Sequence, residues 1–259
     1  MSSQHRDDIL SLRGVTKRFG GLTAVDNVSF EVPTGEVFAL IGPNGAGKTT
    51  LFNCITGMFV PTAGQVVFKG KDISGTKPHR TAQLGIARTF QNIRLFEYMT
   101  ALDNVKVGCH VRMHAKLWDA LFKTPFAKRE EAEVRDRAME YLRFVGIDNR
   151  AESYARNLAY GQQRRLEIAR ALATQPRLLL LDEPAAGFTP QEKVELMQLV
   201  AKIIDQGITV FLIEHDMKVV MEISQLIVVL DHGEKIAEGP PAEVRANQRV
   251  IEAYLGKSA

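Results

Sequence analysis

Apolar positions along the chain follow two patterns. Short unbroken runs such as 37–41 and 178–181 read as strands buried on both faces. The stretch 128–145 instead sets Ala132, Ala138, Tyr141, Leu142 and Val145 on one helical face, with charges elsewhere. Further strands are expected at 9–19, 28–32, 66–69, 86–90, 208–213, 226–230 and 235–237, with Pro61, Gly64, Gly70 and Gly75 as punctuation. Helices are expected after Lys48 to near Gly57, through much of 101–146, over 161–173 and 190–205, from Asp216, and in a closing amphipathic segment at about 242–255. Strands alternating with helices predict an α/β chain around a largely parallel sheet. The central helical block reads as an insertion at about 92–173 within a single domain spanning 1–259.

Composition narrows the class. With 45% hydrophobic and 24% charged residues among 259, disorder, collagen and coiled coil are excluded. The 33 basic and 30 acidic residues leave a net charge of only +3, so charge makes no case for nucleic acid. Cys54 and Cys109 have no metal-ligand spacing, which points to a reducing compartment rather than a disulfide framework. Residues 1–8 lack the apolar stretch of a signal peptide, and the strongest apolar runs fall far short of the ~20 residues that span a bilayer. A cytoplasmic chain without a transmembrane segment is expected.

The chemistry is concentrated at two strand ends. Residues 42–49, Gly-Pro-Asn-Gly-Ala-Gly-Lys-Thr, match the phosphate-binding pattern G-x-x-x-x-G-K-[ST] between an expected strand and an expected helix. Glycines let the backbone curl its N–H groups toward phosphates, Lys48 adds a point charge, and Thr49 offers a hydroxyl to Mg²⁺. The helix behind the loop aims its positive dipole end at the same anion. The candidate ATP-binding set is Gly42, Pro43, Asn44, Gly45, Ala46, Gly47, Lys48, Thr49 and Thr50. Four leucines then lead into Asp182 and Glu183. A strand of this kind brings Asp182 beside the loop as a Mg²⁺ ligand and leaves Glu183 to deprotonate an attacking water.

Leu158-Ala159-Tyr160-Gly161-Gln162, followed by Gln163-Arg-Arg-Leu-Glu-Ile-Ala-Arg-Ala171, opens an expected helix and forms a second anion-binding terminus. The order of phosphate loop, this segment, Leu-Asp-Glu and then His215 resembles the ATPases of the ATP-binding cassette family over nearly the whole chain. The resemblance implies a RecA-like nucleotide-binding core, an N-terminal antiparallel β subdomain and an inserted α-helical subdomain. It makes 158–162 the signature that closes a partner ATPase's site. It places Gln91 at the Mg²⁺-contacting Q-loop position, His215 at the switch histidine beside the terminal phosphate, and Phe19 where an aromatic ring stacks on adenine.

Residues 88–96, 157–170, 181–187 and 213–217, with Gly20-Gly21 and the Tyr254-Leu-Gly256 ending, resemble more closely the ATP-binding subunits of branched-chain amino acid importers. That implies ATP and Mg²⁺ as ligands, two transmembrane permease subunits, a second ATPase subunit as homodimer or heterodimer partner, and indirect contact with a solute-binding protein. It implies a peripheral place on the cytoplasmic face of the membrane. The same family includes lipid or lipopolysaccharide exporters and non-transport ATPases of iron–sulfur assembly, translation and DNA repair. The long coiled coil of the repair enzymes and the double cassette of the translation factors are not seen here. A regulatory subunit with little hydrolysis is the third alternative.

Two positions depart from the family pattern: Ala159 replaces the signature serine, and Phe188-Thr189 replaces Leu followed by Asn or Asp. His110 and His114 have i, i+4 spacing but lack the adjoining Glu of a zinc helix. Cys54 is expected to pack behind the loop. Leu117, Trp118, Leu121, Phe122 and Phe126, flanked by lysines, are expected to pack on the helical block, the alternative being contact with a membrane partner.

Overall fold

The computed structural model describes residues 8–112 and 125–255. Its strands are β1 (Asp8–Phe19), β2 (Leu22–Pro33), β3 (Val37–Ile41), β4 (Ala63–Phe68), β5 (Lys71–Asp72), β6 (Ile86–Arg88), β7 (Leu178–Asp182), β8 (Thr209–Ile213), β9 (Leu226–Asp231) and β10 (Glu234–Gly239). Its helices are α1 (Lys48–Ile55), α2 (Pro78–Leu84), α3 (Ala101–Cys109), α4 (Pro125–Phe144), α5 (Tyr160–Leu172), α6 (Pro190–Asp205), α7 (Met217–Ile223), α8 (Pro241–Ala246) and α9 (Gln248–Leu255). The chain divides into two compact units, one formed by Met1–Ile86 with Arg177–Ala259 and the other by Ala87–Pro176.

The first unit holds two sheets. An antiparallel sheet runs in the order β2-β1-β4-β5, and a second sheet runs β10-β9-β3-β8-β7-β6. Strands β9, β3, β8 and β7 pair in parallel, and β10 closes one edge antiparallel. Every residue of β3, β7 and β8 is buried, as a parallel sheet covered on both faces requires. Between the sheets lies a ring cluster in which Phe211 meets Phe30, Phe38 and Phe52 at centroid distances of 5.8, 5.0 and 4.8 Å. Phe52 comes from α1, so the helix behind the candidate loop is pinned to the core by an aromatic contact.

The register sets up the site. Ile213 of β8 pairs with Leu40 of β3 on one side and Asp182 of β7 on the other. Parallel strands in this register release their following residues at one sheet edge, so 42–47, Glu183 and 214–215 emerge as neighbours.

In the second unit α3 packs against both α4 and α5. Its core includes Leu102, Val105, Val134, Ala138, Leu142, Leu166 and Ala169. Ala132 is exposed, and Val134 takes the buried place on α4, because the 134-138-142 spacing follows the helix more closely than a face begun at 132. His114 and the aromatic cluster at 117–126 lie outside the residues whose side chains are described.

Some elements differ from expectation; β5 was not anticipated, and β6 ends at Arg88. β2 begins at Leu22, because the tight turn after Phe19 pairs Phe19 directly with Leu22. The helix α2 was not anticipated, since its seven residues carry little apolar periodicity; Pro78 opens it and Gly85 ends it in the left-handed region. The closing helix is two helices. Asn247 is extended, and its Oδ1 accepts the N–H of Arg249 at 2.9 Å, which starts α9 afresh.

Candidate functional site

The loop between β3 and α1 is shaped by positions that exclude side chains. A Cβ on Gly42, at φ +151°, would lie 2.1 Å from the Leu230 carbonyl oxygen, and one on Gly47, at φ +97°, 2.4 Å from that of Ala24. Within the loop the Lys48 ammonium donates to the Gly42 and Pro43 carbonyls at 2.7 and 2.9 Å, which holds a charged group that is only 8% exposed. Burial lowers the Lys48 pKa, while Glu183 and Asp182 act in the opposite direction. α1 begins with no side-chain cap and no acidic residue in its first turn, so nothing of its own covers the positive end of the helix. Asn44, Gly45 and Thr49 are exposed; Ala46 and Lys48 are buried.

Asp182 is buried at the end of β7. Glu183 follows at φ +48°, a left-handed conformation that costs a residue with a Cβ about 1–2 kcal/mol. Its N–H donates to the Ile213 carbonyl at 2.9 Å. That bond ties the strained turn to β8 and brings the Glu183 carboxylate to 3.7 Å from Nδ1 of His215, a side chain left 61% exposed.

Glu214 was not singled out from sequence, yet it assembles this corner. Its carboxylate is 1% exposed and accepts the N–H groups of Ala185 at 2.7 Å, His215 at 3.0 Å and Asp216 at 3.3 Å. The turn after β7 and the turn after β8 therefore share one acceptor. The available signal was an acidic residue directly after an all-apolar strand, next to a candidate histidine. Asp216 caps α7 and takes the Lys193 ammonium at 2.6 Å, which holds its carboxyl below the usual range.

Phe19 is 41% exposed and meets Phe59 edge-on at 5.2 Å, so it is not a core residue. Cys54 is buried behind the loop, as expected. Thr189 caps α6: its hydroxyl accepts the Glu192 N–H, and the Glu192 carboxylate accepts the Thr189 N–H at 2.8 Å. The departure at this position thus has a local structural use.

Gln91 and residues 158–162 belong to the second unit. Leu158 is buried, Ala159 occupies the N-cap of α5, and Tyr160 and Gly161 open the helix. Ala159 has no side-chain acceptor; Gln162 Oε1 instead accepts the Ala159 N–H at 3.2 Å. A buried pair that sequence reasoning missed holds this helix to the segment around Gln91. Arg164 and Glu167 are 0% and 1% exposed and lie 2.9 Å apart. Arg164 donates to the carbonyls of Phe90 at 2.6 Å and Gln91 at 2.9 Å, while Glu167 accepts the N–H groups of Phe90 and Arg94 at 3.2 and 3.3 Å. Burial pushes the Glu167 carboxyl up, against the pull of Arg164. Arg170 adds a hydrogen bond to the Arg94 carbonyl.

Among the described residues, no cluster of three or more His, Cys, Asp or Glu could hold a metal alone. No helix among them is long and apolar enough to cross a membrane.

The profile of the family described as ABC transporter matches residues 25–186. A second, described as branched-chain amino acid ATP-binding cassette transporter, matches 234–259. The chain is 49% identical to the high-affinity branched-chain amino acid transport ATP-binding protein BraF of Pseudomonas aeruginosa, over 96% of this chain and 98% of that one. It is 47% identical, with the same coverage, to the corresponding Escherichia coli K12 protein LivG. Its fold is similar to that of a nucleotide-free ATP-binding cassette from an ABC transporter, with a TM-score of 0.84, 34% identity, and coverage of 96% of this chain and 100% of that one.

Proposed function

Because this chain belongs to the ATP-binding cassette transporter family as an ATP-hydrolysing subunit, we propose that it drives the import of branched-chain amino acids through a pair of permease subunits. The observation that carries the site assignment is the single sheet edge at which the 42–47 loop, Asp182, Glu183 and His215 come together. Curled backbone N–H groups, the Lys48 ammonium and the open end of α1 bind the phosphates of ATP. Phe19, exposed at the end of β1, offers a ring face to the base.

The donors near the loop suit Mg²⁺, which prefers hard oxygen ligands. The Thr49 hydroxyl is exposed in the first turn of α1, and the Asp182 carboxylate lies close enough to Lys48 to influence its charge. Those two would hold the ion, which would supply charge neutralisation on the phosphates. Glu183 takes the proton of the attacking water. His215, 3.7 Å away and exposed, stabilises charge that develops on the terminal phosphate.

Residues 158–162 close the nucleotide site of a second ATPase subunit, the α5 N-terminus offering its N–H groups to the terminal phosphate. In that arrangement the chain sits peripherally on the cytoplasmic face of the membrane. It reaches the solute-binding protein only through the permeases.

Affinity purification of the tagged chain from native membranes tests this reading. Two permease chains should co-purify, and MgATP turnover should rise when the solute-loaded binding protein is added. Recovery with soluble partners alone, or ATP affinity unchanged in Lys48→Ala, would overturn it.

A further inference from the structure

The loops that follow β7 and β8 are clipped together by one side chain. The two strands pair Asp182 with Ile213, so both chains leave the sheet side by side. Glu214, 1% exposed, reaches across with its carboxylate. Oε1 accepts the N–H of Ala185, which closely follows Glu183, at 2.7 Å. Oε2 accepts the N–H groups of His215 at 3.0 Å and Asp216 at 3.3 Å. Further out, Asp216 takes the ammonium of Lys193 from α6 at 2.6 Å. The segment from Glu183 to α6 is thus tied twice to the segment from Ile213 to α7. Between the ties stand the Glu183 carboxylate and the His215 ring, 3.7 Å apart. Both residues lie in loops outside the flanking strands and helices, and Glu183 holds a left-handed backbone at φ +48°. Strained backbone of this kind persists only where surrounding contacts over-determine it.

We propose that Glu214 is a positioning residue for the hydrolytic step, holding Glu183 and His215 in one fixed arrangement. This rests on the reading of those two as the base and the charge-stabilising histidine. Glu214 is buried with both oxygens taken by backbone N–H groups, and its Oε2 stands 3.8 Å from His215 Nδ1, beyond hydrogen-bond reach. Its influence therefore passes through the loops and not through contact with reacting atoms. The phosphates are bound by other elements, the 42–47 loop and the start of α1, so Glu214 acts on turnover and leaves nucleotide affinity alone. Misplacing a catalytic group by about 1 Å costs on the order of 10²-fold in rate. A carboxylate suits the task because both of its oxygens accept, whereas an amide has one accepting end and one donating end.

The test is Glu214→Gln in the full chain, which keeps the volume but turns a donating NH2 toward one of the two loops. At saturating MgATP, kcat should fall roughly ten- to a hundredfold while the Kd for ATP stays within about twofold of wild type. Glu214→Asp keeps the charge and the bonds within its own turn, yet is one methylene too short for Ala185, so it should behave like Glu214→Gln. Val32→Ala, buried in the antiparallel sheet, is the destabilised control, and its kcat should stay near wild type. The proposal fails if Glu214→Gln keeps near-normal kcat, if ATP affinity drops in step with kcat, if Glu214→Asp restores turnover, or if Val32→Ala loses as much at matched Tm. Should Glu214→Gln not fold, native-state amide exchange of the wild type decides. The Ala185 and His215 N–H groups should then show equal protection, and unequal protection would reject the clip. Glu183→Gln in the same assay separates the two readings: normal turnover there would reject the base itself, whereas loss there with none in Glu214→Gln rejects only the role of Glu214.

Discussion

Replacing Glu167 by Ala probes how the segment around Gln91 is held. The change removes the carboxylate 2.9 Å from Arg164 and leaves the Phe90 and Arg94 N–H groups without that acceptor. Breaking a buried pair by deleting one partner costs about 3–5 kcal/mol, mostly from the charge left behind. Arg164 keeps the carbonyls of Phe90 and Gln91 and the Tyr160 hydroxyl at 3.2 Å, which places the expected cost in the lower part of that range, about 3–4 kcal/mol. Urea unfolding followed by circular dichroism reads the global loss, and amide hydrogen exchange at Phe90 and Arg94 reads the local one. Arg164→Met with Glu167→Leu removes both charges together, so the double variant should cost less than the sum of the singles by about 2 kcal/mol. A Glu167→Ala cost below about 1 kcal/mol, or singles that simply add, would refute the claim that this pair is the anchor.

Three further outcomes are expected. Glu183→Gln should slow steady-state ATP hydrolysis by about 10²–10⁴ while leaving nucleotide affinity intact, since Lys48, Thr49 and Asp182 are untouched; near-normal turnover would take the base role from Glu183. Gly47→Ala should abolish nucleotide binding in titration and lower stability by about 1–3 kcal/mol, because its Cβ meets the Ala24 carbonyl oxygen at 2.4 Å in a left-handed backbone. Cys54 titrates at about 11, pushed up by burial, so its folded thiol stays protonated between pH 9 and about 11 while the unfolded one ionises. The unfolding free energy should therefore fall across that window, and the fall should be smaller in Cys54→Ala; identical slopes in the two proteins would contradict the burial argument.

Local requirements were legible in the residue order. Glycines at 42 and 47 mark backbone that no other residue can adopt without collision, four leucines before Asp182 mark a strand buried on both faces, and Pro190 with the Thr189 cap marks the start of α6. Each of these signals concerns a few consecutive residues, and sterics or burial periodicity settle it without knowledge of the rest of the chain. The α/β pattern and the candidate loop followed from such signals, as did the acidic pair at the end of β7. Features that join distant segments were not legible. The shared acceptor at Glu214 and the Arg164–Glu167 pair, which holds a segment about 70 residues upstream, depend on which strand lies beside which and which helix face is covered. A charged side chain has the same appearance in sequence whether water or a distant backbone group satisfies it. Only the folded chain decides, because burial removes the water and leaves whichever partner the sheet register has brought within reach.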